Sequence, residues 1–238
     1  MSRRRIPASS TLIAVLLACR MDGARAAGSD WTSEAEAAVA TAQTERGLAY
    51  LETPLAEASW SLANGDGWSL GATAAKTFHG AQAALTASVA YGWPLAAGVD
   101  AYVALGHNTY HDRGGWRYRY ESARATVNAG DRLFASVTQL FHGRIHANDG
   151  SMAVPPALAK ELVWRQPLAT GPTLVAGVGH AAQRHRPQAS YWYGNLGLAV
   201  PVGDATLEAS WIATDAAARR YWGAQAGNRW VASLRRGW

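Results

Sequence analysis

The feature that most constrains this chain is a two-residue alternation of apolar with small or polar side chains, repeated over most of the sequence after residue 46. In residues 85–93, Leu, Ala, Val, Tyr and Trp alternate with Thr, Ser, Ala and Gly. Residues 191–200 and 206–213 show the same pattern. Successive side chains of a strand point to opposite faces, so this period predicts strands with one apolar face. We therefore expect an all-β protein.

Charge favours one of two all-β architectures. A soluble sandwich or barrel buries its apolar face, whereas a membrane barrel turns that face to lipid and keeps polar groups in its lumen. A soluble surface is typically about 25–35% charged, but this chain has 16% charged residues and 11 tryptophans. Trp and Tyr cluster near the ends of the predicted strands, as at a membrane interface. The composition favours the membrane barrel, with the soluble barrel as the alternative.

The pattern predicts twelve strands in a closed antiparallel up-and-down transmembrane β-barrel. Short turns rich in Gly, Pro, Asn and Asp alternate with longer polar connections, as expected for periplasmic turns and extracellular loops. If the first pair, joined only by Thr53 and Pro54, is not counted, ten strands remain. The predicted strands are residues 46–52, 55–63, 68–78, 83–93, 99–110, 116–127, 132–141, 157–166, 173–184, 190–200, 205–213 and 229–238.

Residues 1–26 have the three parts of a secretory signal peptide: basic residues 3–5, an apolar segment at 12–19, and a small-residue cleavage site at 24–26. The alternative is a lipoprotein signal in which Cys19 is acylated. Residues 27–45 are predicted to be a periplasmic lead-in with a short helix, since Ser33 and Glu36 have the spacing of a capping box. The barrel is assigned to residues 46–238.

The net charge of +5 does not indicate a nucleic-acid partner. Residues 1–26 carry a net +4, which leaves +1 for the rest of the chain. A nearly neutral mature chain without a basic stripe does not fit DNA or RNA. Export and barrel signals together predict the Gram-negative outer membrane, with its lipid and lipopolysaccharide and the barrel-assembly machinery as partners.

The C-terminal segment places Trp230, Leu234 and Trp238 on one face, which resembles the assembly signal of Gram-negative outer-membrane barrels. Residues 118–121, 131–136, 193–194 and 205–215, followed by that closing strand, are similar to the TorF-like porins of proteobacteria. The resemblance implies a small outer-membrane barrel with a transport role. It supplies no catalytic residues.

No motif indicates an enzyme. Residues 67–71 fit G-x-S-x-G, but the sequence places them across a hairpin turn and a strand instead of a strand-to-helix elbow. We expect no cofactor. The histidines fall in or beside the predicted outer loops, and a metal site would need ligands from different loops, with His142, His146 and His185 as weak candidates.

Two further sets of residues are candidates for function. Residues predicted to line the lumen are Asp100, Tyr102, Asn108, Arg132, Glu161, Arg165, Tyr191, Tyr193, Asn195 and Glu208. Residues predicted at the extracellular rim, as ligands of lipopolysaccharide phosphates or as the mouth of an anion-favouring pore, are Arg113, Arg117, Arg119, Arg144, Arg184, Arg186, Arg219 and Arg220.

The sequence supports three functional hypotheses. The first is a porin-like channel for passive passage of small solutes or ions. The second is a closed barrel with a structural or envelope-binding role, because opposite charges could pair across the lumen. The third is a periplasmic or lipid-anchored barrel that binds a ligand in an apolar cavity.

Overall fold

The structure is a computed structural model that describes residues 31–112, 116–147, 150–169, 171–183 and 186–238. The predicted signal peptide and Cys19 lie outside the described residues. The strands are β1 (Thr32–Ala40), β2 (Gln43–Glu45), β3 (Leu48–Leu51), β4 (Leu55–Ala63), β5 (Trp68–Thr77), β6 (Ala83–Ala96), β7 (Val99–His111), β8 (Arg117–Ala129), β9 (Leu133–Ala147), β10 (Gly150–Val154), β11 (Ala157–Pro167), β12 (Thr173–Gln183), β13 (Arg186–Val202), β14 (Ala205–Thr214) and β15 (Arg229–Gly237). Helix α1 (Ala216–Trp222) and a 3₁₀ turn (Gly223–Ala226) lie between β14 and β15.

Twelve of the described strands form a closed antiparallel barrel, which confirms the predicted fold class and strand number. Neighbours around the barrel follow chain order, except that β2, β3 and β10 lie outside the ring. β1 closes it by pairing with β4 on one side and β15 on the other. Among the described residues, no helix is both long and apolar enough to cross a bilayer.

The outer face of the barrel is apolar, as the alternation predicts. Leu85 and Leu105 point outward and are 54% and 57% exposed, and Leu198 and Leu207 are also exposed on that face. Inward residues between them are small or polar, such as Ser69, Thr73 and Asn108. The soluble alternative would instead require these leucines to pack together inside.

The two ends of the barrel differ, and we name them by their connections. The turn end carries the tight connections 64–67, 97–98, 130–132, 168–172 and 203–204, together with Thr32 and Gly237. The loop end carries the longer connections, including 41–54 and 215–228. A register shift between β8 and β9 places an extra residue near His142, whose φ is 51°. This β-bulge turns the following β9 side chains to the other face.

Two predictions for the N-terminal part are wrong. Residues 32–40 form a barrel strand and not a helix, because pairing with β4 and β15 overrides the helix preference of Ala and Glu. Residues 46–52, predicted as the first barrel strand, belong largely to a small hairpin of β2 and β3. Its strands of 3 and 4 residues are shorter than the roughly 9–11 residues that a tilted spanning strand needs.

Candidate functional site: the lumen and its inner hairpin

The most distinctive feature of the lumen is the β2–β3 hairpin, residues 43–51, which we call the inner hairpin. Arg46 and Gly47 form its two-residue turn, with φ of 52° and 76°. Positive φ at both positions is the geometry of a type I′ turn, which suits the twist of a β-hairpin. A glycine adopts it easily, whereas an arginine there is held in an uncommon conformation. The turn therefore needs support from its surroundings.

One wall of the barrel supports the hairpin through a carboxylate. Tyr110 on β7 and Tyr120 on β8 donate hydrogen bonds from their hydroxyl groups to Glu45 Oε2, over 3.1 and 2.5 Å. The Tyr50 ring stacks on Tyr110 with the ring centres 4.7 Å apart. Glu45 Oε1 also pairs with Arg46 Nη2 at 2.6 Å. These contacts fix one side of the hairpin to β7 and β8.

The opposite wall is just as close. Leu48 packs in a buried cluster with Tyr191 and Tyr193 of β13 and with Ala218 of α1. A Cβ atom on Gly47 would lie 2.7 Å from Tyr193 Cβ, so the hairpin backbone touches this wall. Since β13 lies across the ring from β7 and β8, the inner hairpin spans the lumen at the loop end.

A third side of the inner hairpin is apolar. Leu51 is fully buried in a cluster with Leu55, Ala75 and Ala84 of β4, β5 and β6. Helix α1 begins at the N-cap Asp215, whose side chain accepts from the Ala218 backbone N–H. The helix and the 3₁₀ turn pack beside β13 and β3. The loop end of the lumen is therefore narrowed by packed protein.

Arg46 carries a charge into this packed region. The residue is 6% exposed, and burial alone would lower its pKa. The nearby Glu45 carboxylate, with Tyr120 and Glu161, outweighs that effect and raises the pKa of Arg46 above its ordinary value. The guanidinium is thus charged and held by acidic partners on the hairpin and on the wall.

Below the inner hairpin, Glu161 on β11 collects hydrogen bonds from several strands. It accepts from the Tyr193 hydroxyl at 2.9 Å and from the Ser136 hydroxyl at 3.4 Å. Arg124 on β8 approaches it to 3.5 Å and also donates to Thr138. Charge-assisted bonds of this kind are stronger than neutral ones, so Glu161 ties β8, β9, β11 and β13 together across the interior.

Nearer the turn end, the lumen holds a second group of charges. Arg235 on β15 lies 3.7 Å from both Glu36 and Glu208. Glu57 is on the neighbouring inward face of β4 and is 9% exposed. Arg165 lies inward on β11, over the ring of Phe134 at 5.5 Å. Carboxylates therefore outnumber arginines in this set.

Several polar atoms of the turn-end half are buried without a protein partner. Within the described part of the chain, Thr126 Oγ1, Asn128 Oδ1, Arg165 Nε and Arg235 Nε have no hydrogen bond. A buried polar atom left unpaired costs about 1–3 kcal/mol, and water relieves that cost wherever it can reach. Among the described residues, buried polar atoms without a partner also occur at the loop end, at Gln43 Oε1, Arg46 Nε and Trp222 Nε1, so the two halves of the lumen differ in packing and not in the presence of unpaired atoms.

Most predicted lumen residues lie on inward faces. Tyr193 and Glu161 meet directly, and Tyr191 contacts the inner hairpin cluster. Arg132 is instead exposed in the turn before β9, where its carbonyl accepts from the Arg165 N–H. The strand alternation turns inward Asp100, Tyr102, Asn108, Glu161, Arg165, Tyr191, Tyr193, Asn195 and Glu208.

The predicted rim residues separate into three groups. Arg117, Arg119 and Arg144 are exposed on the outer face at the loop end, so they do not line a pore mouth as one of the two hypotheses required. Arg219 and Arg220 lie on α1, where Arg219 donates to the Thr214 carbonyl. Arg113, Arg184 and the side chain of Arg186 lie outside the described residues.

The predicted histidine cluster is not assembled as a metal site in the described residues. His142 approaches Glu121 at 3.4 Å, and His107 approaches the same carboxylate at 3.3 Å. His185 lies outside the described residues. Within the described ranges, no three His, Cys, Asp or Glu side chains could hold a metal ion together.

Sequence reasoning missed several residues that define the lumen. Glu45 and Arg46 fell at the edge of the predicted lead-in, and Tyr120 and Arg124 were not assigned to either face. Tyr110 was predicted at the membrane interface, but it points inward and bonds Glu45. The signal for the two tyrosines was present, because Tyr118, Tyr120 and Ser122 share one face of an extended strand. No local signal shows that residues 43–51 fold inward.

Comparisons with known proteins support the architecture. No family model matches the chain, and no curated protein sequence matches it. Among solved structures, the KdgM porin superposes with a TM-score of 0.52 at 7% identity, over 85% of this chain and 98% of that one. The COG4313 outer membrane channel from Pseudomonas putida F1 gives 0.46 at 11% identity, over 86% and 94%. The likeness to the KdgM porin shows a shared barrel fold.

Proposed function

We propose that this protein is an outer-membrane channel for passive passage of small solutes or ions, narrowed at its loop end by the inner hairpin. The observation that carries the proposal is the contrast between an apolar outer face and a charged, polar interior in a ring of twelve strands. An eight-stranded barrel is just wide enough for side chains to fill it, and wider barrels leave room for water. The described fold likeness to a porin is consistent with this proposal.

We also propose that the protein lies in the outer membrane and is related to the TorF-like porins that its sequence resembles. Trp230, Leu234 and Trp238 lie exposed on the outer face of the closing strand, where the barrel-assembly machinery could bind them. Leading residues 1–26 would direct export. These assignments stand as proposals, with export and membrane fractionation as their direct tests.

A second function is favoured by one observation. The inner hairpin packs against β4 to β8 on one side and against β13 and α1 on the other, and oppositely charged groups pair on the inner wall. A barrel filled in this way could serve a structural or envelope-binding role without conducting.

Planar-bilayer recording separates the two functions. The protein is folded into detergent, its folding is checked by heat-modifiable gel migration, and it is added to a bilayer between KCl solutions. A channel gives discrete conductance steps from the wild-type chain. Silence from the folded wild type, with steps from a chain whose residues 43–51 are replaced by a short Gly-Ser linker, would contradict the channel and support the closed barrel.

A further inference from the structure

The outer face of β7, β8 and β9 at the loop end carries a cluster of basic side chains. Arg119 on β8 lies directly opposite Arg144 on β9, and Arg117 lies opposite His146 on β9 and His111 on β7. We name these five residues the basic patch. This face points away from the lumen. His107, which is exposed on it, contacts both Thr109 and Glu121 on the same face.

Like charges directly opposite on neighbouring strands destabilise a sheet. Within the described part of the chain, neither Arg119 nor Arg144 forms an ion pair with a carboxylate. Glu121, which lies on the same face next to Arg119, is shared by His107 and His142. The pairing of Arg119 with Arg144 is thus a cost to the empty protein, which a bound anion would remove.

Farther from the loop end than the basic patch, the outer wall is concave. A groove of about 530 Å³ runs over β5 to β9. Ala123 and Ala125 of β8 form its floor, between Val103 and Leu105 on one side and Val137 on the other. Four residues of strand, roughly 13 Å, separate Ala123 from Arg119, and Glu121 lies between them on the same face. Small residues flanked by larger ones leave a furrow the width of a hydrocarbon chain.

We propose that this face is a binding site for a phosphorylated acyl lipid, with its phosphates on the basic patch and an acyl chain in the groove. Guanidinium groups are suited to bind phosphate with two donors each. A charge on the lipid-facing side of a barrel costs little near the interface and about 2–4 kcal/mol at the midplane, so the patch belongs at the headgroup level. The site rests on the proposed membrane placement but does not require conduction.

The test uses the full chain purified in detergent, with diphosphoryl lipid A as the probe and native mass spectrometry as the measurement. The double variant Arg119→Gln/Arg144→Gln should lower lipid A affinity at least tenfold. A matched control, Arg132→Gln/Arg236→Gln, removes two arginines from the turn end and should bind as the wild type does. Filling the groove with Ala123→Leu should weaken lipid A binding severalfold while the patch is intact.

Three results would overturn the proposal: equal lipid A binding by the patch variant and the wild type, full competition by inorganic phosphate at equal concentration, or no effect of filling the groove. A further measurement needs no lipid. Arg144→Glu creates an opposite-charge pair with Arg119, so it should raise the temperature of heat-modified migration in lipid-free detergent while abolishing lipid A binding. Conductance steps are recorded on the same variants, so loss of lipid binding with steps retained separates this site from the channel.

Discussion

The two halves of the lumen have opposite characters, although the same strands build both. At the loop end, the inner hairpin packs against tyrosines and apolar side chains of the wall. A Cβ atom on Gly47 would lie 2.7 Å from Tyr193 Cβ. Towards the turn end, Arg235 lies 3.7 Å from both Glu36 and Glu208, so charged side chains of the wall itself face the interior. One half is a packed core inside a barrel, and the other is a polar lining.

The difference shows that a barrel wall does not by itself decide whether its interior is filled. Inward side chains on β7 and β8 change from Tyr110 and Tyr120 at the loop end to Asp100 and Thr126 towards the turn end. Tyrosine offers a ring that packs and a hydroxyl that bonds, so it can hold an inserted segment. Short polar groups leave space for water.

The largest effect is expected from removing the inner hairpin. Replacing residues 43–51 by a short Gly-Ser linker empties the packed half, so single-channel conductance should rise severalfold if the hairpin is the constriction. Planar-bilayer recording measures it. Shortening the outer β10 hairpin at residues 150–154 is the control, and an equal rise in both variants would contradict the assignment.

The second-largest effect is expected from breaking the buried ion pair between Glu45 and Arg46 in the inner hairpin. Glu45→Gln leaves Arg46 charged in a buried site and weakens the bonds from Tyr110 and Tyr120. Removing one partner of a buried pair costs about 3–5 kcal/mol, and we expect a loss near the lower value because the Glu45 side chain is 21% exposed. Denaturant unfolding in detergent measures the change.

The double variant Glu45→Gln/Arg46→Gln is the control for that experiment. It removes both charges, so it should recover part of the stability that the single variant loses. If the single and double variants lose the same free energy, the ion pair does not explain the effect.

A smaller effect on the free energy of unfolding is expected from replacing a glycine by alanine, because the two halves of the lumen leave different space for an added Cβ atom. A Cβ at Gly179 would lie 2.3 Å from Tyr193 Cζ at the loop end, whereas a Cβ at Gly92 near the turn end would meet nothing closer than 3.6 Å. Overpacking costs about 1–3 kcal/mol, so Gly179→Ala should destabilise the barrel by about that much. Gly92→Ala should change its free energy of unfolding little. Similar losses from both would mean that the halves are equally packed.

The smallest effect concerns ion preference. Carboxylates exceed arginines in the turn-end half, and carboxylate-lined pores favour cations. Glu36→Gln removes one charge from this lining, where the Glu36 side chain is 38% exposed, and should lower the ratio of K⁺ to Cl⁻ permeability by about twofold, as reversal potentials in a KCl gradient would show. Glu34→Gln, nearer the turn-end opening, serves as the comparison and should have the weaker effect. A preference unchanged by Glu36→Gln would exclude this residue from the conducting path.

Much of the fold could be predicted because the barrel pattern repeats. Strands from Leu55 onward follow from a period of two and from turns with a clear composition, and those turns set the order of strands around the ring. β1 was missed because its outward residues, Ser33, Ala35 and Ala37, are too small to give an apolar stripe. Its Glu34 and Glu36 do share one face of a strand, which was the available signal.

The interior was harder to predict, for a physical reason. Alternation tells which face of a strand is polar, and it placed Asp100, Glu161 and Glu208 on the polar side. It does not say what fills the space between strands far apart in sequence. The inner hairpin is held by Tyr110, Tyr120 and Tyr193, which lie 60 or more residues away along the chain. Only the closed ring brings them together.

The seam between β1 and β15 brings the two ends of the described chain side by side. Ala35 and Trp238 exchange backbone hydrogen bonds of 3.1 and 2.8 Å, so a peptide of a few residues could join them. A circularly permuted chain that links these ends and is opened in the connection at residues 78–82 would keep every strand pairing of the barrel. Fluorescent tags fused beyond either terminus would likewise emerge in one compartment, which gives a direct readout of orientation.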